Sequence, residues 1–127
     1  MTRRRLGAKF LAPAPLGGVE TIFYEGRLAA VVTQTEARLA PEVEFGDPAV
    51  ARFVFAMAAY ALDPTRLADG DPFKQVDAEF IARWLLMPNA AFAALAHLPD
   101  ARVAELFGVP IAEVARKRDD LTRLAGP

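Results

Sequence analysis

The chain has 127 residues, with 15 Lys and Arg against 16 Asp and Glu, and it contains no cysteine. This length suits a single domain with a hydrophobic core of its own. The net charge of -1 gives no general attraction to nucleic acid or to acidic membranes. The lack of cysteine excludes disulfides, cysteine zinc sites and thiol catalysis, and it favours a reducing compartment, so we predict a cytoplasmic protein.

The first 18 residues are basic and contain several prolines and glycines. Arg3, Arg4 and Arg5 precede an apolar run that Lys9 and Pro13 interrupt before it reaches the length of a secretory signal. We therefore predict a flexible basic arm over residues 1–18.

Two short runs of β-branched and aromatic residues follow the arm. They are ETIFY at residues 20–24 and LAAVVT at residues 28–33, and Glu25-Gly26 separates them, which predicts a β-hairpin. The polar stretch over residues 33–47 is predicted to be a connection with one short extended piece at residues 43–45.

Residues 49–62, AVARFVFAMAAYAL, contain one charged residue, Arg52, and carry apolar side chains on every face of a helix. Such a helix belongs in the middle of a fold, and it is shorter than the roughly twenty residues that cross a bilayer. Asp47 is a suitable N-cap and Pro48 a suitable first residue. We predict the buried central helix of the fold here, and no membrane span.

The rest of the chain is predicted to be helical apart from an exposed acidic loop over residues 65–72. Helices are expected over residues 73–87, 89–98, 100–107 and 110–124, and the last two, with Asp100 as N-cap and Gly108 as C-cap, have the outline of a helix-turn-helix. The apolar residues of the first of these helices fall mostly on one face; they are Val76, Phe80, Ile81, Trp84, Leu85 and Met87. The predicted small core of the helix-turn-helix is Val103, Leu106, Val109, Ile111, Val114 and Leu121.

The predicted architecture is a mainly helical α+β fold. A short β-hairpin or small antiparallel sheet packs on the buried central helix, and a helix-turn-helix-like segment follows. We divide the chain into the arm (1–18), a domain (19–98) and the C-terminal segment packed on it (99–127).

Two motifs resemble those of the ImmA/IrrE family of zinc metallopeptidases. Residues 77–88, DAEFIARWLLMP, resemble that family's E-A-x-x-F-A-x-x-L-L-M-P signature, and residues 52–56, RFVFA, are similar to the R-F-T-x-A that leads into its H-E-x-x-H motif. In the family a helix-turn-helix-like segment commonly follows, as it does here. The resemblance covers roughly residues 20–124 and implies a metallopeptidase-like fold.

The zinc-binding positions of the family are occupied here by residues without zinc chemistry. In this register Met57 and Ala61 stand at the two histidines, Ala58 at the catalytic glutamate, and Asp77 at the third ligand, a glutamate in the family. H-E-x-x-H works because two histidines one turn apart bind zinc while the glutamate activates the bound water, and a thioether with two methyl groups does neither. We predict a pseudo-enzyme that binds no metal and no cofactor.

Another metal site is not expected either. Asp77, Glu79 and His97 supply ligand types, but His97 is the only histidine of the chain and lies on a later helix.

The first functional hypothesis is a non-catalytic module that binds a protein. Candidate binding residues are those of the altered cleft, namely Met57, Tyr60, Ala61 and Asp77. In active members of the family the partner is typically a helix-turn-helix repressor, so the resemblance implies a transcriptional regulator as the partner.

Two alternatives stay open. The chain is a DNA-binding regulator if its last helix reads DNA through Arg116, Lys117, Arg118 and Arg123. Against this, five acidic residues balance the five basic ones over residues 100–127, and the pairs Glu113–Lys117 and Arg116–Asp120 have the spacing of a salt-bridged face. The chain is instead a structural subunit of a homo-oligomer or a larger complex if its apolar content of 54% reflects an interface.

Overall fold

A computed structural model describes residues 19–33 and 35–125 of the chain. The predicted arm over residues 1–18 and the last two residues of the predicted C-terminal segment lie outside the described part. The described residues form a mainly helical α+β fold with a small antiparallel sheet, which confirms the predicted fold class.

The sheet has three antiparallel strands in the order β1 (Glu20–Tyr24), β2 (Arg27–Val32) and β3 (Ala37–Leu39). The predicted hairpin is confirmed, and Glu25 and Gly26 both have positive φ, 51° and 79°, as the tight turn of a two-residue hairpin requires. A bulge leaves Ala29 without an opposite residue, which explains why Ala29 and Ala30 are both buried.

The connection after the hairpin differs from the prediction. Its extended piece is β3, paired with β2, and not residues 43–45. Val43 and Glu44 belong instead to a single helical turn, α1 (Pro41–Glu44), because Pro41 occupies the first helical position, where its fixed φ starts a helix.

The central helix α2 (Pro48–Ala61) lies between the sheet and the later helices, as predicted. The Asp47 carboxylate accepts a hydrogen bond from the Ala49 N–H at 2.9 Å, which confirms the predicted cap. The buried residues of α2 pack against β1 and β2, and they are Phe53, Val54, Ala56, Met57, Ala58 and Ala61. Phe55, which points away from this core, is 64% exposed.

The predicted loop over residues 65–72 is wrong for its first half, which is the helix α3 (Pro64–Asp69). Asp63 accepts a hydrogen bond from the Thr65 N–H at 2.9 Å, so Asp63-Pro64 repeats the capping arrangement of Asp47-Pro48. Arg66 of this helix is buried, and it donates hydrogen bonds to the carbonyl oxygens of Tyr60 and Ala61 at the end of α2. The acidic loop is therefore shorter than predicted.

Four helices complete the described chain: α4 (Gln75–Leu86), α5 (Asn89–Leu95), α6 (Asp100–Phe107) and α7 (Ile111–Ala125). Gly108, with φ of 69°, ends α6 in the left-handed conformation, and the predicted helix-turn-helix outline is present. Asp100 is the first helical residue and not the N-cap, a position taken by Pro99.

The buried residues form two clusters. The first contains the sheet, α2 and the inner face of α4, and the second, which begins at Met87, contains α5, α6 and the start of α7. Val103, Val109 and Val114 lie in the second cluster as predicted, with Leu121 packed against it. Leu106 and Ile111 are 47% and 55% exposed, so their assignment to this core is wrong.

Among the helices of the described residues, none is both long enough and apolar enough to cross a bilayer.

Candidate functional site

The positions that the resemblance assigns to zinc chemistry are enclosed in the core. Met57, Ala58 and Ala61 are 0%, 1% and 2% exposed, and all three belong to the first hydrophobic cluster. Met57 and Ala61, two of the candidate binding residues, are therefore not accessible to a protein partner. Their buried area stabilises the fold in the ordinary way.

Gln75, which sequence reasoning missed, covers Met57 from the first turn of α4. Its amide nitrogen lies 3.7 Å from the Met57 sulfur and donates hydrogen bonds to Glu79 at 2.9 Å and to the Phe23 carbonyl at 2.8 Å. Its amide oxygen accepts from the Phe23 N–H at 3.1 Å. Gln75 on α4 thus links β1 to α2, next to Met57, the position that the resemblance assigns to the first histidine.

Tyr60 and Asp77, the other two candidate binding residues, lie at the surface. Asp77 is exposed and Tyr60 is half-buried, with its ring 6.2 Å from that of Phe73. Burial raises the pKa of the Tyr60 hydroxyl, and the nearby Asp77 carboxylate raises it further. The structure therefore brings these two side chains within electrostatic reach of each other, on the outside of the α2–α4 contact.

Metal ligands do not cluster in the described residues, where no group of three His, Asp or Glu side chains is placed to hold an ion. His97 is exposed and follows the end of α5, whereas Asp77 and Glu79 belong to α4.

The four candidate nucleic-acid residues each have a partner within the chain. Arg116 donates to Glu113 at 2.5 Å and to Glu25 at 2.9 Å, and Arg123 donates to Asp120 at 3.0 Å. Burial alone would lower the pKa of Arg116, but these hydrogen bonds to Glu25 and Glu113 outweigh it and raise that pKa.

The other two basic side chains point inward. Lys117 is 3% exposed and donates to the Asn89 side chain at 2.5 Å, and burial lowers its pKa. Arg118 binds Asp100 at 2.8 Å and the carbonyl of Ala96 at 2.8 Å, which holds the end of α5 against α7. These cations fix α7 to its neighbours.

A buried ion-pair network joins α4 to α7. Arg83 binds Asp120 through Nε at 2.7 Å and Nη2 at 3.3 Å, and it binds Glu113 through Nη1 at 3.2 Å. Their side chains are 8%, 3% and 1% exposed. The Tyr24 hydroxyl donates to Glu113 at 2.8 Å, so the network also reaches the β-hairpin.

These partners correct the predicted salt bridges of α7. Glu113 pairs with Arg83 and Arg116, and not with Lys117; Asp120 pairs with Arg83 and Arg123, and not with Arg116. The sequence does contain a signal for this, since residues 113, 117 and 120 lie on one face of the helix at the spacing of a buried stripe.

The residues of the predicted apolar face of α4 do share one side of the helix, and that side is turned outward. Val76, Phe80, Trp84 and Leu85 are 65%, 37%, 50% and 50% exposed, whereas Ala78 and Ala82 on the opposite side are fully buried. Residues 76, 80, 81, 84 and 85, with half-buried Ile81 among them, are called the α4 apolar face below. Of the predicted set only Met87, at the end of the helix, is buried in the core.

The inner side of α4 explains this orientation. Ala78 and Ala82 meet α2, whose own buried residues include Ala58 and Ala61, so small side chains line both sides of the contact. Two helices with small residues between them approach closely, and the large residues of α4 do not fit there. Their exposure follows from this helix pairing.

Scans of protein-family models, curated proteins and solved structures find no match to this chain.

Proposed function

We propose that the chain is a catalytically inactive relative of the ImmA/IrrE metallopeptidases that binds a protein through the α4 apolar face. The observation that carries this proposal is the inverted packing of α4, with alanines inward and Phe80, Trp84 and Leu85 outward. Contiguous exposed apolar surface of this kind marks interaction sites, since it is costly to leave in water.

The buried zinc-position residues support the non-catalytic part of the proposal. A peptidase needs an open position beside its metal for water and substrate. Met57, Ala58 and Ala61 supply no ligand and no general base, and they are enclosed by side chains of the sheet and of α4. The function of a domain without these catalytic groups therefore depends on the residues at its surface.

The interaction surface also takes in one of the candidate residues from the sequence. Asp77 is exposed on the same outward side of α4, between Val76 and Ile81. Trp is enriched among residues that dominate binding energy, so Trp84 is the proposed anchor, with Asp77 as a polar contact at the rim. A helix-turn-helix repressor remains the partner implied by the resemblance alone.

The DNA-binding alternative draws no support from the basic residues of α7. Arg116 and Arg123 are paired with carboxylates, and Lys117 and Arg118 bind an amide, a carboxylate and backbone carbonyls. Arg116 and Arg123 are 44% and 75% exposed, but each is paired with a carboxylate of the chain, whereas a protein that neutralises several phosphates carries an excess of positive charge.

Photo-crosslinking tests the proposed surface. Trp84→benzoyl-phenylalanine, expressed in the native host, is expected to give a discrete covalent adduct on illumination. The same amino acid at Leu106, which is 47% exposed on α6, is the matched control and is expected to give none. The absence of an adduct at position 84, or equal adducts at both positions, would contradict the proposal.

Zinc analysis tests the proposal that the chain is not a zinc-dependent peptidase. Protein incubated with zinc and then desalted is expected to retain far less than one zinc per chain by elemental mass spectrometry. Stoichiometric zinc would overturn the pseudo-enzyme proposal.

A further inference from the structure

Taking the proposed binding function of the α4 apolar face as its basis, we infer that the partner is a second copy of this chain. The two copies pair through α4 in an antiparallel arrangement about a two-fold axis near Phe80. Three properties of the α4 apolar face lead to this assignment: its area, its charge and the distribution of large and small side chains along it.

The area fits a small dimer interface. An aromatic side chain offers roughly 200 Å² and an aliphatic one somewhat less, so the exposed parts of the five residues amount to roughly 350 Å² per chain. Two copies with their flanking residues would bury on the order of 1,000 Å², at the lower limit of specific interfaces. A dimer of this size is expected to dissociate in the micromolar range.

The charges of the exposed side of α4 do not select an oppositely charged partner. Asp77 is the exposed charged residue of α4 itself, and Lys74, the N-cap residue just before the helix, balances its charge. With an axis at Phe80 and a rise of about 1.5 Å per residue, the two copies of Lys74 are about 18 Å apart along the helices and the two copies of Asp77 about 9 Å apart. A parallel pairing would place each of them beside its own copy, where like charges repel.

Side-chain sizes favour the same geometry. An antiparallel pairing about Phe80 places the small Val76 of each copy opposite the large Trp84 of the other, so both ends of the contact are filled to similar depth. A parallel pairing would place Trp84 against Trp84 and Val76 against Val76, leaving one end crowded and the other open. An isologous contact of this kind also closes on itself and stops at the dimer.

Sedimentation equilibrium of the full chain tests the inference. The apparent mass is expected to rise from 13.8 kDa towards twice that value between about 1 and 500 μM protein, as for a micromolar dimer. Trp84→Glu is expected to weaken the dimer at least 30-fold. Leu106→Glu, which places the same charge at an equally exposed apolar position, is the control and is expected to leave the dimer unchanged.

Cysteine pairing tests the axis without relying on the folding of Trp84→Glu, because the natural chain has no cysteine. Phe80→Cys is expected to form a covalent dimer under mild oxidation. Val76→Cys is expected to form no covalent dimer, since its two copies lie about 12 Å apart along the helices, beyond disulfide reach. Disulfide formation at 76 and not at 80 would overturn the antiparallel arrangement.

The two proposals fail in different ways. A chain that is monomeric at every concentration, with an adduct of another protein at position 84, would overturn the self-association and leave the binding function in place. A dimer that survives Trp84→Glu in a folded variant would place the contact elsewhere and overturn the inference. A monomer with no adduct at position 84 would overturn both.

Discussion

Replacing Arg83 by methionine tests how strongly the buried ion pairs hold α7 to the rest of the fold. Methionine keeps much of the length and apolar stem of arginine but removes three hydrogen bonds to Asp120 and Glu113. The two carboxylates then lose their shared cation while remaining 3% and 1% exposed.

The expected loss is large because these carboxylates stay buried. Breaking a buried ion pair by removing one partner costs about 3–5 kcal/mol. Glu113 keeps Tyr24 and Arg116, and Asp120 keeps Arg123, so we expect a value near the lower limit, about 3 kcal/mol.

Urea unfolding followed by far-ultraviolet circular dichroism gives the free energy of unfolding of each variant. Arg102→Met is the matched control, because Arg102 pairs with Glu105 on the surface, where both side chains are more than half exposed. That substitution is expected to cost less than about 1 kcal/mol. The triple variant R83M/E113Q/D120N is expected to recover part of the loss, since no unpaired charge remains buried.

The reasoning is refuted if R83M and R102M lower the free energy of unfolding equally.

Three further substitutions test other contacts. Tyr24→Phe is expected to cost about 1 kcal/mol at pH 7 through its lost hydrogen bond to Glu113. Burial, and then that hydrogen bond, raises the pKa of Tyr24 above the ordinary tyrosine value of about 10. The folded state therefore keeps a proton that the unfolded chain loses above about pH 10. In urea unfolding at increasing pH above about 10, the free energy of unfolding of the natural protein should fall by up to about 1.4 kcal/mol more per pH unit than that of Y24F. The same dependence of this free energy on pH in both proteins would contradict this. Gly108→Ala is expected to cost more than Gly70→Ala in urea unfolding. Both replace a left-handed glycine, but only the Cβ at position 108 displaces the end of the Arg52 side chain, which donates a hydrogen bond to the Phe107 carbonyl. Equal losses would show that this hydrogen bond adds nothing to stability. Asp47→Ala is expected to lower the free energy of unfolding by about 1 kcal/mol through its lost cap, and Asp47→Asn is expected to restore most of it.

Local signals predicted the secondary structure well where the chain contains turn and cap residues. Glu25-Gly26 predicted the turn of the hairpin, Asp47-Pro48 predicted the start of α2, and Gly108 predicted the end of α6. The missed helix α3 carries the same Asp-Pro signal at Asp63-Pro64, so it too was accessible to sequence reasoning.

The direction of α4 was not accessible in the same way. Hydrophobic periodicity identifies which residues share a face, but it does not say whether that face meets the core or a partner. Ala78 and Ala82 determine the orientation, because their small side chains pack against the alanines of α2. A hydrophobicity scale gives its high values to large apolar side chains and therefore does not identify these alanines as the buried side. The candidate binding surface became apparent only from this pairing.

The ionic contacts of α7 were missed for a related reason. Spacing along one helix predicts pairs such as Glu113–Lys117, whereas Arg83 is 30 residues away from Glu113 and belongs to another helix. The spacing of residues 113, 117 and 120 indicates a buried stripe, but the partner of each charge depends on how the helices pack and cannot be identified from a local pattern.

The double hydrogen bond between Gln75 and Phe23 has a consequence for measuring how α4 is docked. The N–H of Phe23 belongs to an outer strand, and the acceptor that protects it from solvent is a side chain of α4. Its hydrogen–deuterium exchange rate therefore reports the equilibrium between attached and detached α4, whereas the amides paired within the sheet report the opening of the hairpin. The exchange rate of this one backbone amide proton therefore measures the attachment of α4 without a label or a mutation.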